Sequence, residues 1–350
     1  MKKIKIKICD FDDKSEATHF GFLVLKILEK YYDVEFSEDP DYLFYHESTY
    51  EHLEYDCVKI FYTGENISPN FNLCDYAIGC DYMNFEDRYY RFPVYMMATF
   101  YNEGEKEMAG GFDFNKPIVY TKDDLVGKSD FCSFVYSNYL ADTTRKIFFD
   151  KLSSYKKVNA GGGYLNNIGG RVGNKLEFEL KHKFSIAFEN SSRLGYTTEK
   201  IVTSLVANTI PIYWGNPEIG REFNKSRIIN CHDYGSFDEV VERIKDIDEN
   251  DDLYLQIVNE PIMAENYSFD RVNQGFEVFL RQIFDQKLSF AKRSTINPVK
   301  LLNLEKNERV VAKYAIVTLG IRKIFAFFYK PFKKIKLLEN LKIKYFRKNI

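Results

Sequence analysis

The stretch at residues 186–216, IAFENSSRLGYTTEKIVTSLVANTIPIYWGN, decides the fold. An apolar run that ends at Phe188 leads into a polar turn. A helical pattern follows over residues 198–207, and the β-branched run at 210–214 indicates a strand that stops at a glycine. Strand, turn, helix and strand in this order predict the βαβ unit of a parallel α/β sheet. Ligands of such sheets bind beyond the carboxyl ends of the strands, so residues 190–200 are candidate ligand-binding residues.

One residue in the first turn of this helix has the wrong charge for its position. With Thr197 as the predicted cap, Glu199 and Lys200 lie in the first turn, where the helix dipole is positive. A glutamate suits that end, but a cation there costs roughly 0.3 kcal/mol or more. Two explanations stay open. Lys200 binds a phosphate or diphosphate together with backbone N–H groups, or it points into water.

A second cation occupies the same kind of position earlier in the chain. An apolar run at 131–136 predicts a strand, and a helical pattern over 143–152 carries Arg145 in its first turn. Two cations at helix starts that follow strand ends favour a phosphate site in this half of the chain. A glycine turn at 159–163 is weak support, because it has neither the GxGxxG spacing nor a Walker lysine.

The first part of the chain has its own α/β pattern. Short runs at 4–8, 34–36, 42–45 and 58–62 indicate strands, and helical spacing separates the first two. This alternation predicts a Rossmann-like half. A chain of 350 residues is long enough for two such domains and a tail.

Charge divides the chain further. Residues 286–350 carry 17 Lys and Arg against 3 Asp and Glu, whereas the whole chain has a net charge of −2, so the remainder is acidic. We therefore predict a first domain at 1–125, a second domain at 126–285 and a basic tail at 286–350. The polar segment at 100–128 contains glycines and indicates a loop or a linker.

The cysteines and the acidic triplets do not predict a metal site. Six scattered cysteines include no CxxC pair, which is typical of a reduced, cytosolic protein without a zinc site. Three DxD triplets, at 10–12, 39–41 and 246–248, are expected by chance in a chain this acidic. The first residues alternate like a strand and lack the apolar core of a signal peptide.

The basic tail is typical of a membrane-surface segment. Its apolar run at 311–329 is interrupted by Lys313, Arg322 and Lys323, so it does not predict a spanning helix. Aromatic residues and lysines at 325–336 suit an interfacial segment that gains roughly 1 kcal/mol per basic residue from an anionic leaflet. A solvated tail and nucleic-acid binding are the alternatives; the sequence contains no nucleic-acid module, so we predict no nucleic-acid partner. We predict a cytoplasmic protein, peripheral on the inner face of the cytoplasmic membrane.

Several motifs in a consistent order resemble one enzyme family. FEN at 188–190, GYTTEKI at 195–201 and IPIYWG at 210–215 are similar to the donor-binding signature of glycosyltransferase family 10, the α-1,3/4-fucosyltransferases. FYTGEN at 61–66 and DYAIG at 75–79 are similar to the first half of that family. The resemblance covers about residues 1–265 and is strongest to the bacterial enzymes that make Lewis antigens.

The resemblance implies a GT-B fold, in which two Rossmann-like domains face each other across a cleft. It implies inverting transfer of L-fucose from GDP-β-L-fucose, held by the second domain, to a hydroxyl of N-acetylglucosamine, held by the first. The acceptor would be a β-galactosyl-N-acetylglucosamine glycan, lipid-linked in lipopolysaccharide or surface-glycan synthesis, and the product an α-1,3 or α-1,4 fucoside. The alternatives are a GT-B transferase with another nucleotide sugar and a non-catalytic, membrane-tethered glycan-binding protein.

The family motifs also imply roles for individual residues. Glu65 matches the base that takes the proton of the acceptor hydroxyl. Arg145 and Lys200 match ligands of the diphosphate, where their charge stabilises the leaving group. Because these cations cover the phosphates, we expect no required metal or other cofactor, with Mn²⁺ at most stimulatory. Glu199 matches a donor-site carboxylate, on ribose hydroxyls or, as the alternative, on the developing oxocarbenium charge. Tyr196 and Asn190 match contacts to the nucleotide or fucose.

Overall fold

A computed structural model shows how these patterns fold. It describes residues 1–9, 23–46, 50–97, 114, 119–139, 141–294, 299–311 and 313–314. Within these ranges the chain forms two separate parallel β-sheets with helices packed on them. This is the two-domain α/β arrangement that the alternating strand and helix patterns predict.

The first sheet, within the described ranges, has six parallel strands in the order β2-β1-β3-β4-β5-β6. In β1 the isoleucines Ile4 and Ile6 are buried, as the alternation with lysine predicts. β4 is buried along its whole length, which is typical of a central strand that is covered on both faces. The bounds are β1 (Lys2–Cys9), β2 (Tyr32–Phe36), β3 (Tyr42–Tyr45), β4 (Val58–Tyr62), β5 (Tyr76–Gly79) and β6 (Tyr89–Arg91).

The second sheet, counted over the same described residues, has five parallel strands in the order β11-β10-β9-β7-β8. Its central strand β9 is almost entirely buried, as expected for a strand with a neighbour on each side and helices on both faces. The bounds are β7 (Asp130–Phe134), β8 (Val158–Ala160), β9 (His182–Phe188), β10 (Ile210–Trp214) and β11 (Ile229–Asn230).

Helices connect the strands and cover the sheets. The α-helices are α1 (23–28), α2 (Val94–Met97), α3 (Lys122–Val126), α4 (Thr144–Ser153), α5 (Lys175–Glu179), α6 (Glu199–Val206), α7 (Phe237–Asp248), α8 (Asp251–Val258), α9 (Phe269–Asp285), α10 (Leu288–Ala291) and α11 (299–311). Short 3₁₀-helices lie at Glu51–Glu54, Glu86–Arg88, Ile219–Arg221, Lys225–Arg227 and Cys231–Asp233. The apolar side chains of α6 and those of α2 belong to one hydrophobic cluster, so the two halves share a core.

The predicted βαβ unit is confirmed, with one correction at the start of its helix. β9, α6 and β10 follow one another, and β9 pairs in parallel with β10. The residue before the helix is Thr198, not Thr197, and its backbone is extended. Its side chain makes no capping hydrogen bond to α6; its hydroxyl donates to Glu189 and accepts from Lys200. Sequence alone does not distinguish two adjacent threonines as caps, since both have a suitable side chain.

The prediction of a loop or a linker at 100–128 is wrong for its last part. Residues 122–126 form α3, and Thr121 and Asp124 make the reciprocal hydrogen bonds of a capping box. Most of the rest of this segment lies outside the described residues. The predicted boundary between residues 125 and 126 falls inside α3.

Helix α9 lies within the predicted second domain at 126–285 but packs on the first sheet. Its Phe276 ring stacks on Phe92 with centroids 4.3 Å apart, and Phe284 lies 4.3 Å from the ring of Tyr42. The chain therefore returns to its first half after completing the second sheet. An amphipathic pattern predicts which face of a helix is buried but not which sheet covers it, so this crossover could not be seen in the sequence.

The start of the predicted tail also lies on the first half. The buried carboxylate of Asp75 accepts hydrogen bonds of 2.5 Å from the backbone N–H groups of Arg293 and Ser294. In α11, Arg309 pairs with Glu54 at 2.6 Å. Residues 315–350, which include the aromatic and lysine-rich segment, lie outside the described residues. Among the helices that the structure describes, none is long and apolar enough to cross a membrane.

Candidate active site

The segments that follow β4 and β9 contact each other at the boundary between the two halves. The side chain of Asn66 donates a 2.5 Å hydrogen bond to the hydroxyl of Ser191. The hydroxyl of Tyr196 lies 3.4 Å from the carboxylate of Glu65. Both segments begin at the carboxyl ends of parallel strands, where ligands of such sheets bind. The structure thus brings the predicted base next to the predicted donor-binding segment.

A tight turn after β4 presents Glu65. Its N–H group donates to the hydroxyl of Thr63 at 3.0 Å, and its carbonyl oxygen accepts from the N–H of Ile67 at 2.9 Å. Thr63 is buried, whereas Glu65 is exposed. The backbone of the turn is therefore fixed while the carboxylate stays accessible to a substrate.

Tyr196 is a side chain of the second half that reaches Glu65. It is buried, and burial raises the pKa of its phenol far above the usual range, with the carboxylates of Glu189 and Glu65 raising it further. The phenol is therefore protonated at all physiological pH values. It can donate to Glu65, and this orients the carboxylate without competing for its charge.

A carboxylate that the motif analysis did not single out organises the start of α6. Glu189 is completely buried and accepts hydrogen bonds of 2.7 Å from both the N–H and the hydroxyl of Thr198. Burial raises the pKa of Glu189, while the charge of Lys200, whose ammonium lies 3.3 Å away, opposes that rise. Gly215 is required beside it, because a Cβ there would overlap the side chain of Glu189. The one sequence signal was its place inside the FEN motif.

Lys200 does not point into water. Its side chain is only 15% exposed and donates to the hydroxyl of Thr198 at 2.9 Å. Burial disfavours the ammonium, but the carboxylates of Glu199 and Glu189 outweigh burial and raise the pKa of Lys200 above its usual range. The alternative of an exposed lysine is therefore wrong. The structure places a permanent positive charge at the first turn of α6.

Arg145 supplies a second fixed cation. Its side chain is 1% exposed, and it donates from Nη2 to the carbonyl of Phe188 at 2.7 Å and to the side chain of Asn190 at 2.9 Å. Its guanidinium lies over the ring of Tyr136, 4.1 Å from the centroid. Within the described part of the chain, its Nε and Nη1 atoms have no hydrogen-bond partner. A buried guanidinium with unused donors is suited to an anion.

Arg145 and Lys200 belong to one cluster of charged side chains, which also contains Glu189 and Glu199. The charge of Arg145 opposes the high pKa of Lys200, and both cations lower the pKa of the Tyr136 phenol, which burial raises. Glu199, the first residue of α6, lies in this cluster with 35% of its side chain exposed. Burial opposes its ionisation, but Lys200 prevails and lowers the pKa of Glu199. Glu199 is therefore an ionised, accessible acceptor beside the two cations.

The glycine turn at 159–163 packs against the chain just after β7. It does not have the sequence of a phosphate loop. A Cβ on Gly162 would overlap the backbone of Tyr136, so only glycine fits there. The N–H of Tyr164 also donates to the carbonyl of Tyr136 at 2.8 Å. The turn thus supports the strand end that carries Tyr136 under Arg145.

The structure gathers all six predicted residues at one boundary in three contacting groups. Glu65 contacts Tyr196, Arg145 contacts Asn190, and Lys200 contacts Glu199. Residues that sequence reasoning missed connect these groups: Tyr136, Glu189 and Arg193. Arg193 donates to the side chain of Asn66 at 3.0 Å and so bridges the two halves.

Two family models match this chain. The α-(1,3)-fucosyltransferase FucT N-terminal domain matches residues 6–98, and the glycosyltransferase family 10 (fucosyltransferase) C-terminal model matches residues 125–259. A crystal structure of an α1,3-fucosyltransferase with GDP-fucose is 31% identical, covers 80% of this chain and 91% of its own, and aligns with a TM-score of 0.64. The chain belongs to glycosyltransferase family 10. The predicted GT-B fold is confirmed by this alignment.

Two curated relatives carry the name of a fucosyltransferase. The α-(1,3)-fucosyltransferase FucT of Helicobacter pylori is 34% identical over 316 residues, which are 79% of this chain and 66% of that protein. A putative fucosyltransferase of Acanthamoeba polyphaga mimivirus is 29% identical over 291 residues, which are 79% of this chain and 46% of that protein. This family 10 chain therefore spans just under two thirds of the bacterial relative and less than half of the viral one.

The family match divides the site residues between its two parts. The N-terminal model contains Glu65, and the C-terminal model contains the two cations and their neighbours. Helix α9, which returns to the first sheet, lies beyond both models.

Proposed function

We propose that this family 10 protein transfers L-fucose from GDP-β-L-fucose, with inversion, to a hydroxyl of N-acetylglucosamine in a β-galactosyl-N-acetylglucosamine glycan. The product would be an α-1,3 or α-1,4 fucoside. The observation that carries the proposal is the 3.4 Å contact between Glu65 of one half and Tyr196 of the other, four residues before Lys200. It joins a candidate base to a candidate diphosphate site. The relative whose crystal structure holds GDP-fucose supports this donor.

Arg145 and Lys200 would bind the diphosphate. Two cations and the N-terminus of α6 provide charge and N–H donors in a shielded site, where their effect on a departing diphosphate is larger than in water. Arg145 has unused donors at Nε and Nη1 for this purpose. We propose that Asn190 contributes by holding Arg145 through their 2.9 Å hydrogen bond, at the edge of the nucleotide or fucose.

Glu65 would act as the general base. The acceptor hydroxyl oxygen attacks the anomeric carbon, the bond from that carbon to the phosphate oxygen breaks, GDP leaves, and the hydroxyl proton passes to Glu65. Attack from the face opposite to the leaving group inverts the configuration. Tyr196 orients Glu65 and lies between the donor and acceptor halves. Glu199 would accept hydrogen bonds from ribose hydroxyls, because its pKa is held low enough to keep it ionised.

We propose that the reaction needs no metal ion, with Mn²⁺ at most stimulatory. Arg145 and Lys200 supply the positive charge that a metal would otherwise bring to the phosphates. One DxD triplet ends at Asp248, which is buried and bonded to Tyr155 at 3.0 Å and to Lys156 at 2.9 Å. In the described ranges no three His, Cys, Asp or Glu side chains are grouped so that they could hold a metal ion.

We also propose a peripheral position on the inner face of the cytoplasmic membrane, with a lipid-linked acceptor. The charge of residues 286–350 supports this, and helix α11 keeps the start of the tail on the first, acceptor-binding half. Deleting residues 311–350 should abolish sedimentation with anionic vesicles while soluble turnover continues. Binding of the shortened chain to the vesicles would contradict this part.

The deciding experiment is turnover with purified protein, N-acetyllactosamine and GDP-fucose, with and without EDTA. We expect a fucosylated product in both reactions, identified by mass spectrometry. NMR should show that its new glycosidic linkage is α. UDP-sugars or GDP-mannose should not replace the donor, and if one does, the protein is a transferase of another sugar. Binding of GDP-fucose without product would contradict the choice of this acceptor. If no acceptor glycan yields product, the protein is a non-catalytic binding protein. Absence of GDP-fucose binding would overturn the donor assignment.

A further inference from the structure

One arginine of the donor-binding segment holds the segment that carries the base. Arg193 donates from Nη1 to the side-chain oxygen of Asn66 at 3.0 Å and from Nη2 to the hydroxyl of Ser68. The same Nη2 forms an ion pair with Asp81. Asn66 and Ser68 lie one and three residues after Glu65 in the chain, so Arg193 holds the turn of the base from the opposite half.

The contact between Tyr196 and Glu65 can orient the carboxylate, but it is too long to fix the position of the turn by itself. The 3.4 Å separation from the Tyr196 hydroxyl is longer than a normal O–H···O hydrogen bond of about 2.7 Å. In contrast, the neighbouring Asn66 is held by Arg193 at 3.0 Å and by Ser191 at 2.5 Å. The distance between base and donor site therefore depends on these neighbours.

The backbone on which Arg193 sits is itself anchored on both sides. Gly195 has a positive φ of 83°, and a Cβ there would overlap the carbonyl oxygen of Cys80 in the first half. Its N–H donates to the side chain of Asn216 at 3.0 Å, and its carbonyl accepts from Arg91 at 3.0 Å. The backbone near Arg193 is thus held in place by other contacts. Loss of the Arg193 side chain would therefore loosen the turn after β4 rather than the segment that contains Arg193.

The environment strengthens the pair of Arg193 and Asp81. Their side chains are 29% and 13% exposed, so solvent screens this pair less than a surface ion pair. Arginine is suited to the position, because its planar fork can bridge several acceptors at once while lysine offers a single charged point. Arg193 bridges three acceptors of the first half in this way: Asp81, Asn66 and Ser68.

We propose that Arg193 is a positioning residue, which sets the distance between Glu65 and the donor-binding segment without touching either substrate. This inference rests on the proposed transfer, in which base and donor lie on different halves. A displacement of about 1 Å between reacting groups can lower a rate about 100-fold. Arg193 therefore acts on the chemical step, whereas Arg145 and Lys200 act on donor binding as well.

The test compares Arg193→Met with the wild-type chain at saturating donor and acceptor. We expect kcat to fall about 10- to 100-fold, while the KM for GDP-fucose and the Kd for GDP change by less than about 3-fold. Asp81→Asn should shift kcat in the same direction, and the double variant should lose less than the product of the two effects. Arg193→Lys should recover part of the rate, because it can still pair with Asp81.

A matched control is Lys122→Met, which removes an exposed ion pair between Lys122 and Asp252 at 2.7 Å. It should leave kcat unchanged. The proposal would be overturned if Arg193→Met kept the wild-type kcat, or if its kcat and its affinity for GDP both fell strongly.

Hydrogen–deuterium exchange keeps the inference separate from the proposed reaction. In Arg193→Met the amides of residues 63–68 should exchange faster, while those of α6 keep their wild-type rates. Unchanged exchange at 63–68 would overturn the positioning role even in a chain without transferase activity. If the full-length variant unfolds, Asp81→Asn, which keeps the shape of the side chain, gives the same measurement.

Discussion

Glu189 accepts two hydrogen bonds of 2.7 Å from Thr198, one from its N–H group and one from its hydroxyl. These bonds join the end of β9 to the start of α6 across the polar segment between them. The Lys200 ammonium lies 3.3 Å from the same carboxylate. One buried acid thereby fixes both the direction of the helix and the position of its cation.

Replacing Glu189 by alanine should lower the free energy of unfolding by about 3 kcal/mol, because Thr198 loses both acceptors and Lys200 loses a buried partner. Glu189→Gln keeps the shape and one of the two acceptor oxygens and should cost about 1 kcal/mol. Urea denaturation followed by circular dichroism measures both. The exposed pair of Glu242 and Lys245 provides the control, since Glu242→Ala should change stability by less than about 0.5 kcal/mol. Equal stability of Glu189→Ala and wild type would contradict the role of this carboxylate.

Glu65→Gln should abolish most transfer and spare donor binding. Glutamine preserves the size of the side chain but cannot take a proton, and removing a general base slows a reaction roughly 100- to 10,000-fold. Steady-state kinetics and GDP-fucose titration by calorimetry separate the two effects. Glu35→Gln, which alters an exposed partner of Lys3 in the same half, serves as the control and should keep full activity. A Glu65→Gln enzyme with wild-type kcat would show that another group accepts the proton.

Lys200→Met should weaken GDP binding roughly 10- to 100-fold, since a charge-assisted hydrogen bond to phosphate contributes about 1.5–3 kcal/mol. The loss should appear both in the Kd measured by calorimetry and in a smaller rise of Tm on adding GDP. Lys146→Met changes a lysine next to Arg145 that pairs with Asp150 at 2.5 Å and should keep wild-type affinity. Should both variants bind GDP equally well, the diphosphate does not lie at α6.

Gly195→Ala should destabilise the protein more than Gly169→Ala. Both glycines have a positive φ, 83° and 87°, so both substitutions carry the strain of about 1 kcal/mol that this backbone region imposes on alanine. At Gly195 the new Cβ also overlaps the carbonyl oxygen of Cys80, whereas at Gly169 it meets no atom of the described residues within 4 Å. Urea denaturation should give a difference of about 2 kcal/mol or more. Equal losses would mean that the two halves separate easily at this point.

The stability of the wild-type chain should rise with pH relative to that of Lys128→Met. The ammonium of Lys128 donates to the carbonyl of Ala207 at 2.6 Å, and burial, with a contribution from nearby Arg227, lowers the pKa of Lys128 to about 7. In the unfolded chain a lysine titrates near pH 10.4, so between about pH 7 and 10 the unfolded state binds one proton more. The free energy of unfolding then increases by up to about 1.4 kcal/mol per pH unit.

The measurement is urea denaturation of both chains at several pH values between about 7 and 9. The free energy of unfolding of the wild type minus that of Lys128→Met should increase steadily with pH, because all other titrating groups are common to the two proteins. Parallel curves would contradict the low pKa of Lys128. Lys122→Met, an exposed lysine, should follow the wild type throughout.

Local patterns predicted much of the fold and of the site. The unit formed by β9, α6 and β10 follows from one apolar run, one helical stretch and one β-branched run, since each covers a single element. The unusual positions of Arg145 and Lys200 are visible because helix dipoles act over one turn. Glu189 lies inside the FEN motif, yet no local rule distinguishes a buried acid that holds a helix from an exposed one.

The sequence by itself determined that the chain is α/β, which helices carry a cation in their first turn, and to which family it belongs. Only the tertiary structure decided that Glu65 meets Tyr196, that Arg193 clamps Asn66, and that α9 returns to the first sheet. The reason is the range of the interactions. Propensity, periodicity and capping act within a few residues, whereas these contacts join residues more than 120 positions apart and depend on how two halves pack through a shared core.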